Sequence, residues 1–193
     1  MKYYAVKNGR VNGIYTDWDS CKEQVIGFEG AIYKSFSTKE EAEAYLTGGQ
    51  IKEENYNRPT AYVDGSFNIN TNEYSFGAIL FVNGQKLIFK KKFEADKYST
   101  FRNVAGEVRG ASFIINYALK QGIKELDLFY DYQGIESWFT QEWKANNELT
   151  INYQKFANDV KDKIKVSFKK VKSHTGVKYN EEVDSLAKEA LGI

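Results

Sequence analysis

The sequence predicts an α/β chain in two parts: a small β-β-α-β-α module, then a larger domain whose mixed five-stranded sheet is flanked by helices. Three observations predict it. Residues 47–58, TGGQIKEENYNR, combine two glycines with scattered charges and no apolar periodicity, and the single proline, Pro59, follows directly; that is the composition of a linker. Downstream, three strand-like runs come in succession and then alternate with helical ones, the order of a mixed sheet with helices on its faces. Upstream, short apolar runs and turn signals alternate within a segment that needs a tight aromatic core to be stable. The division is therefore 1–46, linker 47–59, and 60–193. A dozen linker residues span roughly 20 Å as a coil and about 40 Å extended, so both parts can reach one elongated ligand.

In the module, YYAVK and GIYT flank Asn8-Gly9-Arg10-Val11-Asn12 as a hairpin. Asp17 or Asp19 caps a short helix running to about Val25. AIYKSF is a third strand, and STKEEAEAYL is an amphipathic helix in which Ser37 and Glu40 have capping-box spacing. In the larger domain TAYVDGSFNI is a strand, and EYSFGAILFVNGQKLIFKKKF is two strands about Val82-Asn83-Gly84-Gln85. NVAGEVRGASFIINYALKQG has helical apolar spacing and ends at Gly122. The strand ELDLFYD follows, then helices over YQGIESWFTQEWK and INYQKFANDVKDKI, then the strand KVSFKKV. Asn180 is placed to cap the last helix, EEVDSLAKEAL.

Composition narrows the function. With 42% hydrophobic and 27% charged residues the chain has the balance of a soluble globular protein. No apolar run approaches the roughly 18 residues of a membrane span, and MKYYAVKNGR lacks a signal peptide's apolar core. The one cysteine, Cys21, reads as a reduced structural thiol, so the expected compartment is cytoplasmic. A net charge of +1 excludes binding to nucleic acid through bulk positive charge but leaves room for a local patch. Aromatic content is 16%, with 14 Tyr, and aromatics beside lysines stack on bases and sugars.

Four carboxylates stand where merely solvated ones are not expected. Asp64 lies inside the strand AYVDGSF and is followed by Gly65, which lets a ligand approach the backbone. Glu107 shares its helix face with Ala111, Ile114 and Ala118 and so points at the sheet. Asp131 ends an apolar strand, at the edge where α/β sheets bind ligands. Asp184 lies early in the last helix beside Val183, Leu186, Ala187 and Ala190. Each alone also reads as a cap, a turn or an exposed charge. Together, without an adjacent cation, they would repel one another. All-oxygen donors suit Mg²⁺ or Mn²⁺ and not Zn²⁺.

YVDGSF, NVAGEVRGA, FYDYQGI and VKSHTGVKYNEEVDSLAKEA resemble, in order, the four motifs of type 1 ribonucleases H, over about residues 60–193. The last is the most specific, because its His, Gly, Asn and Asp spacing recurs together with a Leu-Ala pair. Residues 1–46 resemble the hybrid-binding domain found before such nucleases. The resemblance implies an endonuclease that cuts the RNA strand of RNA–DNA hybrids with two Mg²⁺ ions, Mn²⁺ substituting, and leaves 5′-phosphate and 3′-hydroxyl ends. It implies that Asp64 bridges both ions, that Asp184 holds the one activating the attacking water, and that Glu107 and Asp131 hold the other. His174, the single histidine, becomes an accessory acid–base group on its loop.

The same resemblance makes Asn103 and Gln133 contacts to the hybrid's minor groove, where the 2′-hydroxyl distinguishes RNA, with Gly65 and Ser66 beside them. Two departures, Arg102 and Val104, fall where many relatives use Thr and Asn to hold a DNA phosphate. In the module Trp18 corresponds to an aromatic that packs on the DNA sugar, Tyr33 and Lys34 to an aromatic–basic pair beside it, and Tyr4 to a neighbouring contact. Ser35 replaces a second lysine. Trp18 also fits a core anchor, since so small a module needs large apolar groups. No protein partner is implied, and a monomer suffices. Two other readings stay open: a non-catalytic hybrid binder, and another nuclease of similar fold such as a 3′-exonuclease or a strand-transfer enzyme.

Overall fold

The computed structural model describes residues 2–47, 56–171 and 178–193. The chain divides into two compact units, Met1–Asn55 and Tyr56–Ile193. The first holds β1 (Tyr3–Asn8), β2 (Gly13–Tyr15), α1 (Trp18–Val25), β3 (Ile32–Phe36) and α2 (Lys39–Thr47). Its sheet is antiparallel in the order β2-β1-β3. Alternation along β1 sends Val6 inward against Cys21 and Val25 of α1, with Tyr4 and Tyr15 packed alongside. Asp17 caps α1, its Oδ1 accepting the Ser20 N–H at 2.8 Å. Burial closes Cys21 off and pushes its thiol up, away from the thiolate form that reacts. The capping box forms one residue later than expected: the Thr38 hydroxyl accepts the Glu41 N–H and the Glu41 carboxylate accepts the Thr38 N–H, both at 3.3 Å. The motif occurs twice in overlapping register, and only Thr38/Glu41 fits a helix that starts at Lys39.

The second unit holds β4 (Thr60–Phe67), β5 (Tyr74–Val82), β6 (Gln85–Phe93), α3 (Asn103–Lys120), β7 (Glu125–Tyr130), α4 (Gly134–Phe139), α5 (Glu148–Val160), β8 (Lys165–Lys170) and α6 (Lys178–Leu191). The strand order is β6-β5-β4-β7-β8, antiparallel through β4–β5–β6 and parallel through β4–β7–β8. Asn83 and Gly84, with φ of 52° and 71°, make the tight β5–β6 turn. The buried face that includes Val63, Phe76, Ala78 and Leu80 packs with Val108, Ala111, Ile114 and Ile115 of α3. The opposite face carries Tyr62, Ile79 and Phe81 against Tyr179 and Val183 of α6.

Glycines let both helices sit directly on the sheet. A Cβ at Gly106 would lie 1.9 Å from the Ser75 carbonyl oxygen, and one at Gly65 would lie 2.3 Å from the Asn103 carbonyl oxygen. On the other face a Cβ at Gly77 would lie 2.2 Å from the Val183 carbonyl oxygen. Backbone-to-backbone contact of this kind admits no side chain.

Four boundaries differ from the sequence reading, each for a local reason. Tyr56 and Arg58, assigned to the linker, belong to the second unit: Tyr56 packs with Tyr62, Phe81 and Tyr179, and Arg58 pairs with Glu125 and Asp127. Helix α4 stops at Phe139 instead of continuing to Lys144, because Gln141 turns to φ 67° and the Trp143 N–H returns to the Ser137 carbonyl at 2.9 Å. Helix α5 runs Glu148–Val160, not from Ile151 to Ile164; Asn147 and Thr150 cap one another at its start, a box without the usual Glu or Gln. Asn180 does not cap α6, which has already begun at Lys178.

Candidate active site

Strand pairing sets the carboxylates side by side. The parallel register matches Tyr62 of β4 to Phe129 of β7, so two residues further on Asp64 stands level with Asp131. Asp64 pairs across the sheet with Gly77, on the face that α6 covers. The Gly65–Gly106 approach brings α3 down far enough for Glu107 to reach the same point. One carboxylate oxygen each from Asp64, Glu107 and Asp131 lies within 4.8 Å of the others. A cleft of about 230 Å³ opens over them, lined by Asp64, Gly65, Asn103, Asp131, Asn180, Glu181 and Asp184.

Their electrostatics are those of crowded, dehydrated anions. Asp64 is only 8% exposed; burial first, then the charges of Asp131 and Asp184, raise its proton affinity to about 7, against the opposing pull of the Gly65 N–H and of Lys188. Glu107, 2% exposed, is pushed well above the usual carboxylate range by burial, then by Asp64 and Asp131. Among the described residues its countervailing contact is the Asn103 amide, which donates to it at 3.1 Å. A cavity whose walls hold protonated or mutually repelling carboxylates fits a hard divalent cation, which would relieve both burial and repulsion.

Asp184 lines the cleft but stands outside the three-carboxylate cluster, its Oδ2 accepting the Lys188 ammonium at 2.8 Å. Asn103 is exposed at the mouth, and Gly65 forms part of the wall. Ser66 is buried within β4 opposite Ser75 and is not part of the lining. Gln133 precedes α4, where its amide donates to Ser137 Oγ at 3.1 Å and, more weakly, to Glu136, outside the cleft. His174 lies outside the described residues. Arg102 adopts φ 52° and ψ −131°, a conformation costly for a side chain, at the turn that delivers Asn103 to the cleft.

Two wall residues are absent from the sequence reading as site candidates. Asn180 is 5% exposed and its Oδ1 has no hydrogen-bond partner among the described residues; Glu181 stands beside it. Both could have been found as the residues four and three before Asp184, hence on its helix face.

In the first unit Tyr4, Trp18 and Tyr33 form a row, with ring centroids 5.6 Å and 5.9 Å apart. Trp18 is 38% and Tyr33 42% exposed, so the row lies on the surface above Val6, Cys21 and Val25, and Trp18 is not a core anchor. Lys34 leaves β3 on the opposite face from Tyr33 by strand alternation, its Nζ 5.6 Å from the Phe36 ring. The adjacent sequence positions are thus separated in space.

Comparison with known proteins agrees with this layout. Residues 56–192 match the RNase H family, and residues 2–46 match the Ribonuclease H1 N-terminal domain. A ribonuclease H of Pseudoalteromonas translucida is 33% identical over 141 residues, 68% of this chain and 88% of that protein. A ribonuclease H of Crithidia fasciculata is 62% identical over 45 residues, 23% of this chain; the chain spans only 9% of that protein. The RNase H1 of Halobacterium salinarum shares the fold with a TM-score of 0.58 at 23% identity, over 70% of this chain and 98% of that one. So does LC11-RNase H1, solved in complex with an RNA/DNA hybrid, at a TM-score of 0.54 and 14% identity, over 69% of this chain and 99% of that one. The chain belongs to the ribonuclease H family, as a type 1 member in which the RNase H domain follows a ribonuclease H1 N-terminal domain.

Proposed function

We propose that the chain is an endonuclease that hydrolyses the RNA strand of RNA–DNA hybrids with Mg²⁺ held by Asp64, Glu107, Asp131 and Asp184, Mn²⁺ serving as a substitute. The observation that carries this is the convergence of three carboxylate oxygens within 4.8 Å under a cleft whose remaining wall includes Asp184. Two bound cations would supply an activated water and stabilise the leaving 3′ oxygen, giving 5′-phosphate and 3′-hydroxyl ends. The donor set supports the choice of metal: oxygen ligands alone, no thiolate, and buried carboxylates whose raised proton affinity a bound cation would offset.

Residues 1–46 act as a hybrid-binding module and residues 56–193 as the catalytic domain, joined by a linker. The exposed row Tyr4–Trp18–Tyr33 offers stacking faces for a sugar or base, with Lys34 a peripheral phosphate contact. Asn103, beside Glu107 at the cleft mouth, and Gly65, whose backbone the cleft exposes, are placed to meet the strand being cut. Ser66, buried opposite Ser75, and Gln133, bonded to Ser137, would need to move to join them. His174 assists turnover as an acid–base group. The protein works as a cytoplasmic monomer; among the described residues no helix is long and apolar enough to cross a membrane.

The test is a substrate panel: labelled RNA–DNA hybrid, duplex DNA and duplex RNA, each with Mg²⁺, against the native chain and Asp64→Asn. Cleavage confined to the hybrid's RNA strand and lost in Asp64→Asn is the expected result. Cutting of duplex DNA overturns the substrate assignment, and an active Asp64→Asn chain overturns the site.

A further inference from the structure

Asp184 already carries a cation of the chain's own. It stands four residues before Lys188 on α6, the spacing and order in which an acid and a base meet best on a helix, and the Nζ–Oδ2 distance is 2.8 Å. The Asp184 side chain is 25% and the Lys188 side chain 47% exposed, so the pair is loose enough to exchange. Lys188 is not an ordinary surface partner, because its charge also reaches Asp64 at the centre of the carboxylate cluster. Nor does the next residue divert it: Glu189 is held by Lys90 at 2.9 Å. Asp64, Glu107 and Asp131 converge, whereas Asp184, paired with Lys188, does not join them.

We propose that Lys188 is a positioning residue that competes with a divalent cation for Asp184, so that the cleft takes up its two cations unequally. The first enters where Asp64, Glu107 and Asp131 already meet. The second binds when the Lys188 ammonium leaves Asp184, which frees that ammonium to face solvent or a phosphate. This deepens the metal reading above and rests on it. An exposed ion pair is weak, and a full positive charge a few ångströms from a divalent ion adds repulsion, so removing Lys188 should tighten the second event roughly three- to tenfold.

The experiment is a Mn²⁺ titration of the full chain without nucleic acid, followed by the electron-spin resonance of free Mn²⁺, so that no catalysis is needed for the readout. The native chain should show two unequal binding events. Lys188→Met should tighten the weaker one by that factor and leave the stronger within about twofold, while Lys188→Arg should keep the native split. Asp184→Asn should lose the weaker event alone. A Lys188→Met titration that superimposes on the native one, while Asp184→Asn still removes the weaker event, overturns the role of Lys188 and leaves the metal site standing. A titration in which neither Asp64→Asn nor Asp184→Asn changes anything overturns the proposal together with the metal reading.

Discussion

Replacing Asp64 by Asn should make the metal-free protein more stable, by an amount that depends on pH. Burial and neighbouring charges raise the Asp64 proton affinity from an ordinary 3.8 to about 7. The folded state therefore binds that proton more tightly than the unfolded chain does. Stability lost to this group is near zero below pH 4, grows as pH rises towards 7, and levels off above it. About three decades of proton affinity at roughly 1.4 kcal/mol each set a ceiling of about 4 kcal/mol. Asn keeps the acceptor for the Gly65 N–H, which Asp64 engages at 2.7 Å, but buries an amide in place of a carboxyl. The net gain at pH 8 should accordingly be nearer 2 kcal/mol, or roughly 4–8 °C in Tm. The assay is thermal melting in EDTA at pH 4.5 and pH 8, with and without added Mg²⁺. Native protein should melt lower at pH 8 than Asp64→Asn, that order should vanish or reverse at pH 4.5, where the cost of the buried amide remains but the carboxylate penalty is mostly gone, and Mg²⁺ should stabilise only the native chain appreciably. Equal melting of the two proteins at pH 8 in EDTA would refute the crowded-carboxylate account.

Further outcomes are expected. His174→Ala should lower kcat by one to two orders of magnitude, the usual reach of a positioned acid–base group, with hybrid affinity nearly unchanged; native turnover across the pH range would make it an ordinary loop histidine. Removing residues 1–55, a cut placed ahead of Tyr56 because that ring packs on the second unit, should raise KM with little change in kcat, since a tethered second site raises effective concentration. Trp18→Ala in the full chain should reproduce most of that loss, at roughly 1–3 kcal/mol of stacking, and Lys34→Ala a smaller part, because Lys34 leaves the opposite face of β3; gel-shift titration on the hybrid checks both. Gly106→Ala should destabilise by more than about 3 kcal/mol or fail to fold, because its Cβ would stand 1.9 Å from the Ser75 carbonyl oxygen; a melting curve like the native one would contradict the close packing of α3.

Much of this was legible because it is periodic or local. The mixed sheet followed from element succession, and Asp131 could be placed at a sheet edge because the apolar run ELDLFY ends there. Glu107 stood out as an acid in a helical stripe of Ala and Ile. What the sequence concealed depends on pairs distant in the chain or on side-chain direction. The meeting of Gly65 with Gly106, which brings α3 to the sheet, has no signature beyond two glycines of ordinary kind. Lys34 adjoins Tyr33 in sequence, yet strand alternation sends the two to opposite faces. Asn180 carries a cap-like residue type, but its helix starts two residues earlier, which turns it into cleft wall. Helix α4 lost its second half to the left-handed Gln141, a residue whose type gives no warning. Nothing in the sequence reading singled out Lys188, whose 2.8 Å contact with Asp184 emerges in the structure.

The chemistry at the cleft is tested most directly by the ends it leaves. A hybrid whose RNA strand is internally labelled should be cut in Mg²⁺ to fragments bearing 5′-phosphate and 3′-hydroxyl groups, and cutting should stop in EDTA. Carboxylate-held cations that activate water produce those ends, because the 2′-hydroxyl is not the nucleophile. Fragments ending in 2′,3′-cyclic phosphate, or cleavage that persists in EDTA, would contradict the account: the 2′-hydroxyl would then be the attacking group, and the carboxylate cluster of Asp64, Glu107 and Asp131 would not be the seat of catalysis.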